Sequence, residues 1–168
     1  MDIGINQVLY KMNQLEVIHR FYKNKAAAEH GLYVGQLPIL EYIDTHYQCV
    51  QKEMAKELGV TPSSVATSVK RMEKSGLLNK VIDTEDMRFT RLTLTNKGRA
   101  VAKACRKSFN QVESTMFKDF SSDEYKILYN LCARIVGNLT LEELKSDTIQ
   151  FMEEIDNRLS AESSQDED

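Results

Sequence analysis

The chain has 168 residues, of which 28% are charged, three cysteines and a formal net charge of −3 at pH 7. That length gives one domain, or one domain with an arm, and enough chain to build its own core. No apolar run approaches a membrane span and no basic-then-apolar leader opens the chain, so the expectation is a cytoplasmic protein; three widely spaced cysteines (Cys49, Cys105, Cys132) exclude a disulfide framework and suit a reducing compartment.

From about Gly4 to Ala28, the residues Ile5, Val8, Met12, Leu15 and Tyr22 recur along one stripe of a predicted helix, widened by Leu9, Ile18 and Phe21. Such a stripe is too broad to be left in water. Further on, Gln51 to Leu58 places Met54, Ala55 and Leu58 on one helical face and leaves Lys52, Glu53, Lys56 and Glu57 for solvent. Gly59 stands where a helix commonly ends in a left-handed residue, and Pro62 follows closely, so the turn is tight. Thr61 offers an oxygen to the free amides of a next helix, and Pro62 suits its first position because the missing N–H costs nothing there. The apolar residues of this second helix, Val65, Val69 and Met72, fall at helical spacing; Ser63, Ser64, Thr67, Ser68, Lys70 and Arg71 occupy the remaining surface.

Ser75-Gly76 predicts a helix stop. Leu77 to Ile82 and Arg91 to Asn96 then favour strands, with Leu92 and Leu94 alternating against Thr93 and Thr95, and Asp83 to Thr90 joins them as a long hairpin tip. Within the tip, the carboxylate of Asp86 can orient the guanidinium of Arg88 towards a minor groove or a phosphate. An ordinary surface ion pair, worth only ~0–1 kcal/mol, fits the same spacing. Thr95 or Asn96 begins another long helix through Val101, Ala104, Cys105, Phe109, Val112 and Met116. Ser121 and Glu124 form a capping-box pattern for the next, along which Tyr125, Leu128, Cys132, Ile135 and Leu139 repeat as a seam that must pack on a helix of this chain or of a partner. Leu141, Leu144, Thr148, Phe151 or Met152, Ile155 and Leu159 continue a helical stripe, and residues 161–168 read as an acidic, disordered tail.

Helix, tight turn, helix and a two-stranded wing are the order of a winged helix-turn-helix, in which the second helix enters the major groove. Short hydroxyl side chains allow close approach, and Arg71 is the residue on that face able to contact guanine in bidentate fashion. A polar-faced helical hairpin satisfies the periodicity equally; the wing separates the two readings. The acidic net charge is concentrated in the tail: residues 51–99 carry 10 Lys and Arg against 6 Asp and Glu, whereas residues 140–168 carry 2 against 10.

Met54-Ala55, Leu58-Gly59-Val60-Thr61, Ser64-Val65, Val69, Met72-Glu73, Gly76-Leu77-Leu78, Asp86-Met87-Arg88, Leu92, Leu94-Thr95 and Gly98 resemble the winged-helix signature of the MarR (multiple-antibiotic-resistance regulator) family. The resemblance covers the middle third closely and roughly residues 5–140 in architecture. Met87 departs from it where a basic residue is common, and Lys80 stands where Arg is more usual. It implies a mainly α fold with a small β wing: an N-terminal helix of the dimerisation region (1–32), a winged helix-turn-helix (33–98), C-terminal dimerisation helices (99–160) and the tail (161–168). It also implies a homodimer on a pseudo-palindromic double-stranded DNA site, with contacts from Thr61, Ser63, Ser64, Thr67, Ser68, Lys70, Arg71, Asp86 and Arg88, acting as a repressor.

Resembling proteins are released by small aromatic acids, metals or oxidants, and each trigger makes a demand on the residues. No cysteine lies near the start of the first helix; Cys105 and Cys132 fall on apolar stripes and read as buried, leaving Cys49 as the one candidate reactive thiol. The histidines His19, His30 and His46 are scattered, without the spacing of a metal site. An aromatic or phenolic effector in a cleft beside the dimer helices remains, with His19, Tyr22, Tyr33 and Tyr42 as candidates. No phosphate loop, nucleophile elbow or metal-binding pair is present, so the expectation is no enzyme and no cofactor. The rival reading is a winged helix that binds protein through its acidic C-terminal arm.

Overall fold

The computed structural model describes residues 3–46, 49–83 and 90–139. Six helices and one hairpin follow in order: α1 (Ile5–Glu29), a 3-10 turn (Val34–Gln36), α2 (Leu37–Thr45), α3 (Gln51–Glu57), α4 (Pro62–Lys74), β1 (Leu78–Ile82), β2 (Thr90–Leu94), α5 (Asn96–Met116) and α6 (Ser122–Leu139). The fold is mainly helical with a two-stranded antiparallel wing, paired Leu78 to Leu94 through Ile82 to Thr90. The predicted hairpin tip from Asp83 onwards, with Asp86 and Arg88, and the helical stripe and tail beyond Leu139 lie largely or wholly outside the described residues.

The helix boundaries have local causes. Gly59 and Gly76 take φ of 61° and 69°, where a Cβ is unfavourable, and each ends its helix. After Gly76, the Leu77 amide donates back to Met72 O at 2.9 Å, which closes the end of α4. Thr61 caps α4 by accepting from the Ser64 amide at 3.2 Å, with Pro62 as first helical residue. At the start of α6 the predicted capping box is formed, Ser121 N donating to Glu124 Oε2 at 2.8 Å and Glu124 N to Ser121 Oγ at 3.3 Å. The second strand ends at Leu94, shorter than the Arg91 to Asn96 expectation, because the Thr95 hydroxyl accepts from the Gly98 amide and caps α5.

Leu37, Leu40, Met54, Val65, Val69, Met72, Leu78, Leu92 and Cys105 are fully buried where α2, α3, α4, the wing and α5 meet. Burying such a side chain contributes about 1.5–3 kcal/mol, so this cluster holds α4 on its scaffold. The start of α5 grips the end of α4: Thr95 Oγ1 donates to Gly76 O at 2.8 Å, Lys97 Nζ to Ser75 O at 2.8 Å, and Gly98 lies so close to Leu77 that a Cβ there would sit 1.9 Å from its carbonyl oxygen. Farther along, Arg106 makes a two-pronged contact with Glu41 of α2, and Arg99 Nε donates to Asp44 Oδ1 at 3.0 Å.

The apolar stripes of α1 and α6 find little cover among the described residues. Only Ala26 and Ala27 of α1 are buried, where Lys23 pairs with Glu113 at 2.7 Å and His30 Nε2 lies 2.9 Å from Ser108 Oγ. Ile5, Val8, Leu15 and Phe21 are exposed. No residue of α6 is buried, so its seam packs on no helix among the described residues, and Cys132, expected inside, is exposed.

Candidate nucleic-acid interface

The inner face of α4 is Val65, Val69 and Met72; Thr61, Ser63, Ser64, Thr67, Lys70 and Arg71 are exposed and Ser68 is half-buried. Its opposite side therefore carries Ser63, Thr67, Lys70 and Lys74, with Ser64 and Arg71 along one flank. Thr61 Oγ1 lies 3.0 Å from Ser63 Oγ and 2.8 Å from Ser64 Oγ, and Thr67 donates to Ser63 O at 2.9 Å. Those contacts tether the hydroxyls close to the helix and keep the first turn slim, while the amides of that turn present the positive end of the helix dipole.

The cations around this helix divide by partner. Lys80 pairs with Glu73 at 2.7 Å and Lys97 holds the Ser75 carbonyl, so both serve the fold. Lys70 and Lys74 make no ion pair with a described residue, and Arg71 lies over the Tyr33 ring, guanidinium carbon 5.0 Å from the centroid. Lys74, not among the contacts expected from sequence, lies one helical turn beyond Lys70 on the same face, a spacing visible in the sequence. At the wing base, Arg91 Nε donates to Asp83, which anchors the strand leaving the tip.

The four candidate effector residues do not converge. His19 and Tyr22 share a cleft of about 290 Å³ between α1 and α5, lined also by Leu15, Ile18, Val112 and Met116. There His19 Nε2 is buried without a hydrogen-bond partner among the described residues. Tyr33 lies instead against α4, and Tyr42 is a buried core residue stacked on His46 with centroids 4.0 Å apart. Burial, with the Glu57 carboxylate beside it, pushes the Tyr42 phenol well above its usual range. Cys49, expected as an accessible thiol, is also buried: it bridges to Leu92 beside the wing, and burial pushes its thiol up to about 11. A thiol so raised is a poor nucleophile at neutral pH, which removes the expected reactivity. Among the described residues, no three His, Cys, Asp or Glu side chains cluster as metal ligands, and no helix is long and apolar enough to cross a membrane.

Residues 32–90, from the end of α1 to the first residue of β2, match the model of the MarR family. The fold superposes on the crystal structure of MarR with a TM-score of 0.61 and 25% identity over 82% of this chain and 92% of that one. The chain is thus similar to the MarR family through its helix-turn-helix and the start of its wing. Its relatives include the uncharacterized HTH-type transcriptional regulator YwhA of Bacillus subtilis, 27% identical over 58% of this chain and 70% of that one. Another is the HTH-type transcriptional regulator BilQ of Clostridioides difficile, 26% identical over 76% and 86%. Among solved structures, the PcaV transcriptional regulator from Streptomyces coelicolor shares the fold with a TM-score of 0.70, at 22% identity over 77% of this chain and 95% of that one. The MarR-family match begins just before α2 and takes in the whole α3–turn–α4 unit.

Proposed function

We propose that this chain is a sequence-specific transcriptional regulator that binds double-stranded DNA as a homodimer, represses, and is released by a small aromatic or phenolic effector. One observation carries it: α4 is held rigidly by its buried face and presents hydroxyls at its slim N-terminal half, with Lys70, Arg71 and Lys74 farther along. A face of that shape and charge suits a major groove. The solved relative S. aureus MepR, which shares the fold with a TM-score of 0.67 at 19% identity over 82% of this chain and 99% of that one, was crystallised as a DNA complex. In this reading Thr61, Ser63, Ser64, Thr67 and Ser68 approach phosphates and base edges, Arg71 reads a base, Lys70 neutralises a phosphate, and the wing residues Asp86 and Arg88 reach the adjacent groove.

The exposed stripes of α1 and α6 supply the dimer interface in this account, leaving residues 33–98 as the reading head and 99–160 with the first 32 residues as the dimerisation part. The cleft at His19 and Tyr22 is the candidate effector site, because an apolar pocket with an unpartnered imidazole nitrogen suits a phenol or carboxylate. The likeness to transcriptional regulators supports reading the chain as a cytoplasmic non-enzyme. Arg71→Ala should lower affinity for a preferred duplex about 5- to 150-fold and relax base preference at one position, whereas Lys70→Ala should weaken all duplexes alike and reduce the salt slope by about 1. Anisotropy titrations at several salt concentrations check both. Wild-type affinity in both variants would point to protein recognition through the acidic arm.

A further inference from the structure

Tyr33 stands just ahead of α2, outside the helix pair, and the residue is 64% exposed, so core packing does not account for it. Its backbone is nevertheless pinned. The Tyr33 amide donates to Gln36 Oε1 at 2.9 Å and its carbonyl accepts from the Gln36 amide at 2.9 Å, and Gln36 itself is buried at 4% exposure. A fixed backbone thus carries an exposed aromatic ring to the last turn of α4, where it meets the Arg71 guanidinium.

The other arginines that anchor this half of the molecule make a different choice. Arg91, Arg99 and Arg106 each donate to a carboxylate, Asp83, Asp44 and Glu41 respectively. Such pairing occupies the N–H fork and neutralises the charge. A cation–π contact restrains the long side chain without neutralising its charge and leaves its N–H groups for an incoming acceptor. Arg71 donates to no described acceptor.

We propose that Tyr33 is a positioning residue for DNA recognition: its ring preorganises Arg71 for a base or phosphate contact. The inference rests on the reading of α4 as the DNA-recognition helix, and it adds a specificity determinant from outside the helix-turn-helix.

The test is an anisotropy titration of a fluorescent duplex recovered by the wild-type protein from a random pool, with Tyr33→Ala, Tyr33→Phe, Arg71→Ala and the Tyr33→Ala/Arg71→Ala double variant. Tyr33→Ala should weaken binding about 2- to 5-fold, the range of an exposed cation–π contact, while Tyr33→Phe, which keeps the ring, should bind like wild type. In the Arg71→Ala background, Tyr33→Ala should cost nothing further, a coupling that mere loss of fold would not give. Wild-type affinity in Tyr33→Ala beside a weakened Arg71→Ala would overturn the inference and leave the DNA reading standing. Additive losses, or a Tyr33→Phe as weak as Tyr33→Ala, would show a contact made by Tyr33 itself and overturn it too. If Arg71→Ala binds like wild type, or no duplex is recovered from the pool, the inference falls together with the role given to Arg71 or to α4.

Discussion

Cys49 shows how a single residue's chemistry depends on contacts far away in sequence. In the sequence it is a lone thiol between helices; in the fold its carbonyl accepts from the Leu92 amide at 3.1 Å and its side chain is enclosed beside the wing. Burial disfavours the thiolate, raising the folded-state value to about 11 from an ordinary value near 9. Because the folded-state value is raised, the stabilisation is fully present below pH 9 and is lost as pH rises towards and through 11; its size is on the order of 2 kcal/mol. Denaturant titrations between pH 8 and 11 should show that loss in wild type and a smaller one in Cys49→Ala, and a thiol reagent at neutral pH should modify Cys49 far more slowly in the folded protein than in denaturant. Equal losses with pH in both proteins would contradict the assignment. Tyr42 and Tyr33 were equally illegible as residues. Nothing in local spacing shows that one enters the core and the other meets Arg71, because both outcomes are decided by elements distant in the chain.

Helices and turns were far easier to read, because their ends are set by neighbours in sequence. Thr61 and Pro62 start α4, Gly76 stops it, and Ser121 with Glu124 starts α6, each through contacts within a few residues. What joins the elements was not readable. The Arg106–Glu41 contact spans 65 positions, and the close approach of Gly98 to Leu77 depends on how α5 leaves the wing. That approach gives a clean comparison. Gly98→Ala forces a Cβ against the Leu77 carbonyl and should destabilise by about 1–3 kcal/mol in urea unfolding, whereas Gly137→Ala, in α6 with open space around it, should be neutral or stabilising by up to about 1 kcal/mol. A harmless Gly98→Ala would show that the grip of α5 on the end of α4 is loose.

At the scale of the whole molecule, the helical content, the wing and the resemblance to the MarR family were legible from periodicity and motif, since one buried face per element leaves a regular trace. The partner of the outer helices was not. An apolar seam reads alike whether it faces its own chain or another, and the fold leaves Leu128, Leu131 and Ile135 of α6 exposed together with Val8, Met12 and Leu15 of α1. A homodimer would cover both faces and set two α4 helices on one side of a duplex, about one DNA turn apart. Such an assembly also explains how a chain with a net charge of −3 meets DNA, because its basic segment, residues 51–99, is doubled at the reading surface. The most direct measurement is a fluorescence anisotropy titration of the protein against DNA from upstream of its own coding sequence and against a scrambled duplex, at two salt concentrations. The account predicts tight binding of the upstream duplex alone, falling steeply with salt, and saturation at two protomers per duplex when DNA is held above the dissociation constant. Equally weak binding of both duplexes, or saturation at one protomer, would contradict it.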